Sequence, residues 1–326
     1  MLTENAYTSV WTLPVSEATD PRWWDHEGQR IRAALTDHFG REIPGAELPP
    51  PPDPGALRAR LRQDAPALTA LVDRVRTAFD VDAVCGVLIP ELGLRDADVD
   101  SKRLGVFALS TLLGDVTANI PFPQVIWDVR NQGEMSTGHS SFSENDREAD
   151  YHTDSGFMRH PERIFLLYVV QEARCGGGVS MIRDGRNLIN QLATTDRGQA
   201  AIQALSQTRL PSRIPRAFRT AGYASQNGYQ YSAVLGSVMN TAEPLWRWRK
   251  DKLYKGLEKF PEFDTPEIRD ALDLVSDVLE NGADEVHSVV PTDGIIIMNN
   301  HVILHGRTGF TDPDRHLLRV RLHDPA

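Results

Sequence analysis

Cysteine is scarce: Cys85 and Cys175 are the two in 326 residues. Two thiols so far apart exclude a disulfide framework and a cysteine-based zinc site, and they suit a reducing compartment. Long apolar runs are missing as well, no segment reaching the ~20 residues that a membrane span needs. Met1-Leu2-Thr3-Glu4-Asn5 carries neither a basic nor an apolar leader region, so a cytoplasmic, unprocessed protein is expected. There is no Lys/Arg-dense run, and the net charge is −10. That balance argues against nucleic acid or an anionic membrane as partner and leaves a small-molecule substrate. No internal repeat is visible, and oligomeric state is not legible.

What is present is ordinary in bulk, 40% hydrophobic and 25% charged, as in a globular protein with a packed core. Tyr7 to Leu13 alternates as a short strand, and Pro21-Arg22-Trp23-Trp24 opens a helical pattern to about Phe39. The run Pro49-Pro50-Pro51-Pro52, with Pro54 and Gly55, breaks periodicity and reads as a stiff linker between domains, a proline ligand for a partner module being the less economical reading. Ala56 to Phe79 reads as one amphipathic helix, Val84 to Ile89 as a buried strand, Lys102 to Leu113 as a helix and Gln124 to Arg130 as an alternating strand. The polar stretch Asn131 to Asp150 has the composition of a loop over a site.

Arg163 to Val170 is a strong buried-strand signal, and Asp184 to Gln207 reads as a helix. Asn227-Gly228 marks a hairpin turn within Tyr223 to Gly236. Thr265-Pro266-Glu267 starts a helix that ends near Asn281-Gly282. Strands return at Gly294 to Met298, His301 to Leu304 and Leu317 to Leu322. Short strands separated by turns, with helices at the front, predict a mostly β protein with peripheral helices around a double-stranded β-helix (jelly roll, cupin-like) core. The expected organisation is a single catalytic domain over 1–326, mainly helical over 1–100, with the jelly roll over 101–326 and a helical insertion at about 240–282.

The chemistry is concentrated around Tyr151-His152-Thr153-Asp154-Ser155-Gly156-Phe157. On a strand, His152 and Asp154 leave the same face. An imidazole and a carboxylate side by side suit a divalent metal, and one more histidine would complete the facial triad of non-haem Fe(II) oxygenases. Alone the pair is weak, since about one His-x-Asp is expected by chance in a chain of this composition. A solvated strand end is the plain alternative. His160-Pro161-Glu162 is a second His-x-carboxylate, but with proline in a polar turn. Near the C-terminus, His301 and His305 are both available within Asp293 to Arg307.

His-x-Asp, a turn and hydrophobic strand, a closing His305-Gly306-Arg307 and two later arginines four apart together resemble the Fe(II)/2-oxoglutarate-dependent dioxygenases of the taurine dioxygenase and clavaminate synthase-like superfamily. The likeness runs over roughly Leu104 to Leu322. It implies His152, Asp154 and His305 as metal ligands, with His301 a packed or supporting residue. It implies that Arg315 pairs with the distal carboxylate of 2-oxoglutarate and Arg319 with a substrate anion. A guanidinium can bind a carboxylate through two parallel hydrogen bonds, and residues four apart on a strand share a face. Ser180, in Gly177-Gly178-Val179-Ser180, matches the hydroxyl that donates to the same carboxylate. Arg307 recurs in one branch of the family, where it looks structural as much as catalytic.

Leu245-Trp246-Arg247-Trp248-Arg249-Lys250-Asp251 falls where that branch carries substrate contacts. Arg249 and Asp251, with Ser155, are therefore expected at the substrate, although tryptophans packed on a core beneath solvated charges would explain the segment equally. The cofactors implied are Fe(II), 2-oxoglutarate and O2. The implied reaction hydroxylates an unactivated C–H of a carboxylate-bearing small molecule, a free amino acid or natural-product intermediate, releasing succinate and CO2. Related halogenases replace the ligand carboxylate with a small residue, so Asp154 favours oxygen transfer. Desaturation, epoxidation or cyclisation on the same scaffold, a non-catalytic small-molecule-binding jelly roll, and a metalloenzyme independent of 2-oxoglutarate are the alternatives.

Overall fold

A computed structural model of the chain describes residues 10–13, 22–80, 84–131, 143–219, 227–238, 243–282 and 285–325. The first third supplies β1 (Val10–Thr12), α1 (Trp23–Phe39), α2 (Pro54–Asp64), α3 (Pro66–Asp80), β2 (Gly86–Ile89) and α4 (Val99–Leu113). Asp53 starts α2: its carboxylate accepts from the Ala56 N–H at 2.8 Å, and Pro54 lacks the N–H that the first turn would leave idle. The single helix expected over Ala56 to Phe79 is instead two. Pro66 brings no N–H and disfavours helical backbone in the residue before it, so Ala65 turns out at φ −132°.

The proline run does not separate domains. The Leu48 carbonyl just before it accepts from Val125 N–H at 2.9 Å. Ile31 of α1 and Leu57 and Leu61 of α2, on either side of the run, are buried in one cluster with Leu104, Tyr168, Ile295 and Leu318. The prolines connect helices that share a core, and Pro51 is itself buried.

The strands continue with β3 (Asp115–Val116), β4 (Trp127–Arg130), β5 (Ala149–His152), β6 (Ile164–Gln171) and β7 (Ser180–Asp184). A mainly helical stretch follows: α5 (Gly185–Leu192), α6 (Asp196–Gln207), β8 (Leu210–Arg213), α7 (Arg216–Arg219), β9 (Tyr229–Ser232), β10 (Leu235–Ser237), β11 (Pro244–Trp246), α8 (Lys250–Lys259) and α9 (Pro266–Asn281). Last come β12 (Val286–Ser288), β13 (Ile295–Asn299), β14 (Ile303–Arg307) and β15 (His316–His323). The expected helix over Asp184 to Gln207 is also two, because Thr195 caps a new one, its hydroxyl accepting from Gly198 N–H. The first flank of the hairpin expected at Asn227-Gly228 lies outside the described residues; among those described, β9 pairs with β8, and β10 with β11. Residues 220–226 lie outside the described part.

A seven-stranded sheet runs β1-β2-β13-β6-β15-β3, with β4 also on β15, and a four-stranded sheet runs β12-β7-β14-β5. Alternation along the central strands shows why both faces of the larger sheet are apolar. Ile295 and Ile297 of β13 join the cluster under the N-terminal helices, whereas Ile296 and Met298 join a second cluster with Ile182 of β7 and Ile303 of β14. The outer face of the smaller sheet, through Tyr151, Met181 and Leu304, packs on α5, α6, α8 and α9. Helices, sheet, sheet, helices is thus the order of layers. The two facing sheets form the double-stranded β-helix, and no helix among the described residues is long and apolar enough to cross a membrane.

Candidate active site

The metal-ligand set comes from the smaller sheet. His152 ends β5 and lies directly opposite His305 of β14 in the antiparallel ladder, with ring centroids 4.3 Å apart. Asp154 stands just past the strand end, its Oδ1 3.6 Å from His152 Nε2. One donor atom from each of the three lies within 4.8 Å of the others, and no further cluster of three such residues occurs among the described residues.

Backbone contacts aim these groups. The His152 Nδ1–H donates to the Asp150 carbonyl at 2.8 Å, which leaves the lone pair on Nε2, the atom facing Asp154. The Asn300 side chain clamps the ligand turn: its Oδ1 accepts from Asp154 N–H at 2.9 Å, and its Nδ2 donates to the carbonyls of Asp154 (2.9 Å) and Glu162 (3.0 Å). Ser155 follows in the left-handed region at φ 55°, which swings the chain away immediately after the carboxylate.

Protonation suits a metal. Burial, reinforced by Arg249, lowers His152 to about 4, and burial with His152 beside it pushes His305 well below the usual histidine value. Burial opposes the Asp154 anion, but the Arg319 guanidinium, Nη1 3.3 Å from Oδ2, together with His305, His152 and Arg321 around it, outweighs burial and holds the carboxyl well below the usual range. Two neutral imidazoles and a carboxylate form the donor set that Fe(II) takes in a facial triad, and His305 Nδ1 is buried without a hydrogen-bond partner. These residues fit the metal.

The opposite wall comes from the larger sheet. Arg315, Leu317, Arg319 and Arg321 alternate onto one face at and along β15. Arg315 is 5% exposed and its Nη1 has no hydrogen-bond partner, whereas Arg319 donates to Asp154. Arg321 is enclosed: Nη1 donates to Ser155 Oγ at 2.6 Å, Nη2 to Asn119 Oδ1 at 3.3 Å, and Glu162 Oε1 lies 3.8 Å away. Burial, then the like charge of Arg307, lowers Arg315 to about 10, so it stays cationic at neutral pH. Both guanidiniums lie over the Phe310 ring, each 4.8 Å from its centroid. Gly178, at φ +73°, passes so close that a Cβ there would fall 2.7 Å from Arg315 Nε.

Between the walls is a cleft of about 620 Å³ that takes in His152, Asp154 and His305 at one end and Ser180 and Arg315 at the other. Phe165, Leu167 and Leu317 line it between them. An unpartnered cation beside a hydroxyl, with a metal-ligand set across an apolar floor, fits a dicarboxylate that chelates at one end and is held at the other.

Other expected residues fall less simply. Ser155 lies outside the cleft lining, its hydroxyl held by Arg321. Arg249 forms a backbone bridge with His152, and its Nε lies 3.3 Å from Asp251 Oδ1, while Asp251 Oδ2 accepts from Lys252 at 2.6 Å. The tryptophans of that segment are core residues: Trp246 Nε1–H donates to the Gly185 carbonyl, and Trp248 is 1% exposed. Arg307 donates to the Asn145 and Arg147 carbonyls, fastening the end of the polar loop whose residues 132–142 lie outside the described part. His301 is packed, with Nε2 on the Pro161 carbonyl at 3.1 Å. Glu162 serves Arg321 and so is not a rival ligand.

Arg321, Asn300 and Phe310 were not singled out from sequence. Arg321 had a signal, the i, i+2 continuation of Arg315 and Arg319, whereas nothing local marks Asn300 or Phe310.

Fold and site together define a mononuclear non-haem iron oxygenase of the jelly-roll type. Residues 47–321 match the family described as taurine catabolism dioxygenase TauD, TfdA, and the chain belongs to that family, an Fe(II)- and 2-oxoglutarate-dependent dioxygenase. No curated protein matches it. Among solved structures it is similar to an asparagine oxygenase in complex with Fe(II), 2S,3S-3-hydroxyasparagine and succinate (TM-score 0.64, 17% identity, covering 97% of this chain and 94% of that one). It is also similar to the non-heme iron oxygenase OrfP with Fe and alpha-ketoglutaric acid (TM-score 0.62, 15% identity, 96% and 94%). OrfP with Fe, succinate and (3R,4R)-dihydroxy-L-Arg is comparable (TM-score 0.64, 15% identity, 97% and 94%). At these identities the likeness carries the fold.

Proposed function

We propose that the protein hydroxylates an unactivated C–H of a free amino acid or a related carboxylate-bearing small molecule, with 2-oxoglutarate as cosubstrate and succinate and CO2 as coproducts. The observation that carries this reading is the pairing, in one cleft, of the His152/Asp154/His305 set with an unpartnered, buried Arg315. The structural neighbours, solved with hydroxylated asparagine and arginine, support the amino-acid class.

Iron, when bound, supplies O2 activation coupled to oxidative decarboxylation of the cosubstrate. The protein's own residues do the positioning. Arg315 and Ser180 hold the distal carboxylate, while Phe165, Leu167 and Leu317 keep water from the space between it and the ligand set. Arg319 has one edge on Asp154 and lines the same cleft, where it is assigned to the substrate carboxylate. Arg249 and Asp251, beside His152, are assigned to the polar end of the substrate, and the whole chain is read as one catalytic unit. Asp154 keeps a carboxylate in the ligand set, which favours oxygen transfer.

The test is succinate release across free amino acids and their derivatives, with product mass as readout: one oxygen gained marks hydroxylation, two hydrogens lost desaturation. Anaerobic Fe(II) plus 2-oxoglutarate should give a visible charge-transfer band. No band and no succinate would favour a non-catalytic binding protein, and turnover without 2-oxoglutarate a different metalloenzyme.

A further inference from the structure

Arg315 belongs to two cavities. Beyond it, away from the ligand set, a second lobe of about 510 Å³ shares Leu167, Ser180, Arg315 and Leu317 with the cleft. Its remaining walls are mainly apolar, with Val169, Val290 and Ile296 buried, and Val289, 67% exposed, stands at its rim. Arg315 thus borders both spaces.

We propose that this rear lobe binds a short aliphatic monocarboxylate, its carboxylate on Arg315 and its tail among Val169, Val290 and Ile296. Three observations carry this. A buried cation whose Nη1 has no partner draws an anion, because a desolvated charge is costly until it is paired. Phe310 covers one face of that guanidinium, and Arg315 lines both lobes. Arg315 is the one cation among the described rear lining residues, so the second carboxylate of a diacid finds no counter-charge there, whereas an aliphatic tail meets valine and isoleucine.

A carboxylate held there takes the hydrogen-bonding edge assigned to 2-oxoglutarate, so the two compete. That competition rests on the cosubstrate reading of Arg315, whereas binding to the lobe does not. Cosubstrate use would then respond to the level of small aliphatic acids, with no contact between such an acid and the metal.

The probe is isovalerate on the iron-loaded enzyme, with acetate as the tailless control. Isovalerate should raise the apparent KM for 2-oxoglutarate and leave kcat unchanged. At about fourfold per buried methylene it should act roughly 50-fold more strongly than acetate. Direct binding, followed by ligand-observed NMR on the full chain, should be lost on adding saturating 2-oxoglutarate. Val290→Trp fills the lobe, and Val289→Trp blocks its rim without needing core room. Each should weaken isovalerate by at least ~10-fold while the KM for 2-oxoglutarate stays within about twofold. Equal potency of acetate and isovalerate, or inhibition untouched by both tryptophan variants, overturns the proposal, as does an enzyme that binds 2-oxoglutarate but not isovalerate. Isovalerate that binds, is weakened by both variants, yet is not displaced by 2-oxoglutarate upholds the lobe and overturns the assignment of 2-oxoglutarate to Arg315.

Discussion

The two walls of the cleft are built on opposite principles. On the smaller sheet each ligand is fixed by its surroundings: a carbonyl on His152, the Asn300 clamp and Arg319 on Asp154, the neighbouring imidazole on His305. On the larger sheet the arginines are graded, from Arg321 with Ser155, Asn119 and Glu162 around it, through Arg319 with one carboxylate, to Arg315 with a buried Nη1 that has no partner. Burial alone does not separate them, since Arg315 and Arg321 are 5% and 4% exposed. The difference lies in partners. A buried charge already paired holds structure together, and one left unpaired awaits a ligand.

The largest effect is expected on the ligand wall. His305→Ala should lower turnover by at least ~10³-fold and abolish the anaerobic Fe(II)·2-oxoglutarate band, while leaving the far-ultraviolet dichroism unchanged.

The arginine wall gives the sharper contrast. Arg321→Met strands Glu162 in the core and should cost ~3–5 kcal/mol in denaturant unfolding. Arg315→Leu leaves no charge behind, so it should be neutral or slightly stabilising, yet raise the KM for 2-oxoglutarate by ~100-fold or more. Should Arg315→Leu unfold the protein and Arg321→Met spare it, the comparison between the two fails.

A pH effect follows on the ligand wall. In the iron-free protein His152 is held at about 4, below its unfolded value near 6.5. Between those limits the unfolded chain binds a proton that the native state refuses. The contribution of His152 to stability is therefore complete above pH 6.5 and falls by ~3 kcal/mol as the pH drops to 4. Thermal melts of the wild type and His152→Gln across this window check it, the variant showing a shallower slope. The smallest effect is kinetic: Arg319→Ala should raise the KM for the amino-acid substrate by ~10-fold and that for 2-oxoglutarate much less, and the opposite split would exchange the roles of Arg315 and Arg319.

Sequence made the chemistry more legible than the architecture around it. His152, Asp154 and His305 could be read because residue type and spacing are themselves the signal, and the facing-sheet core because β6 and β13 are apolar without alternation. The helix breaks were locally encoded, Pro66 most plainly, but a continuous apolar periodicity masked them. The contacts that sort the arginines were not encoded locally at all. Asn119, Glu162 and Phe310 reach β15 only through the tertiary fold, and no periodicity in their own segments announces it.

The pairing of His152 with His305 also has a consequence in time. The two stand side by side in the sheet, yet about 150 residues separate them along the chain. During synthesis at ~5–20 residues per second, His152 and Asp154 leave the ribosome roughly 8–30 s before their partner exists. For that interval the nascent chain offers a bidentate site at most, and three-point capture of a metal must wait for the last strands. Metallation is therefore a report that translation has run to the end of the barrel.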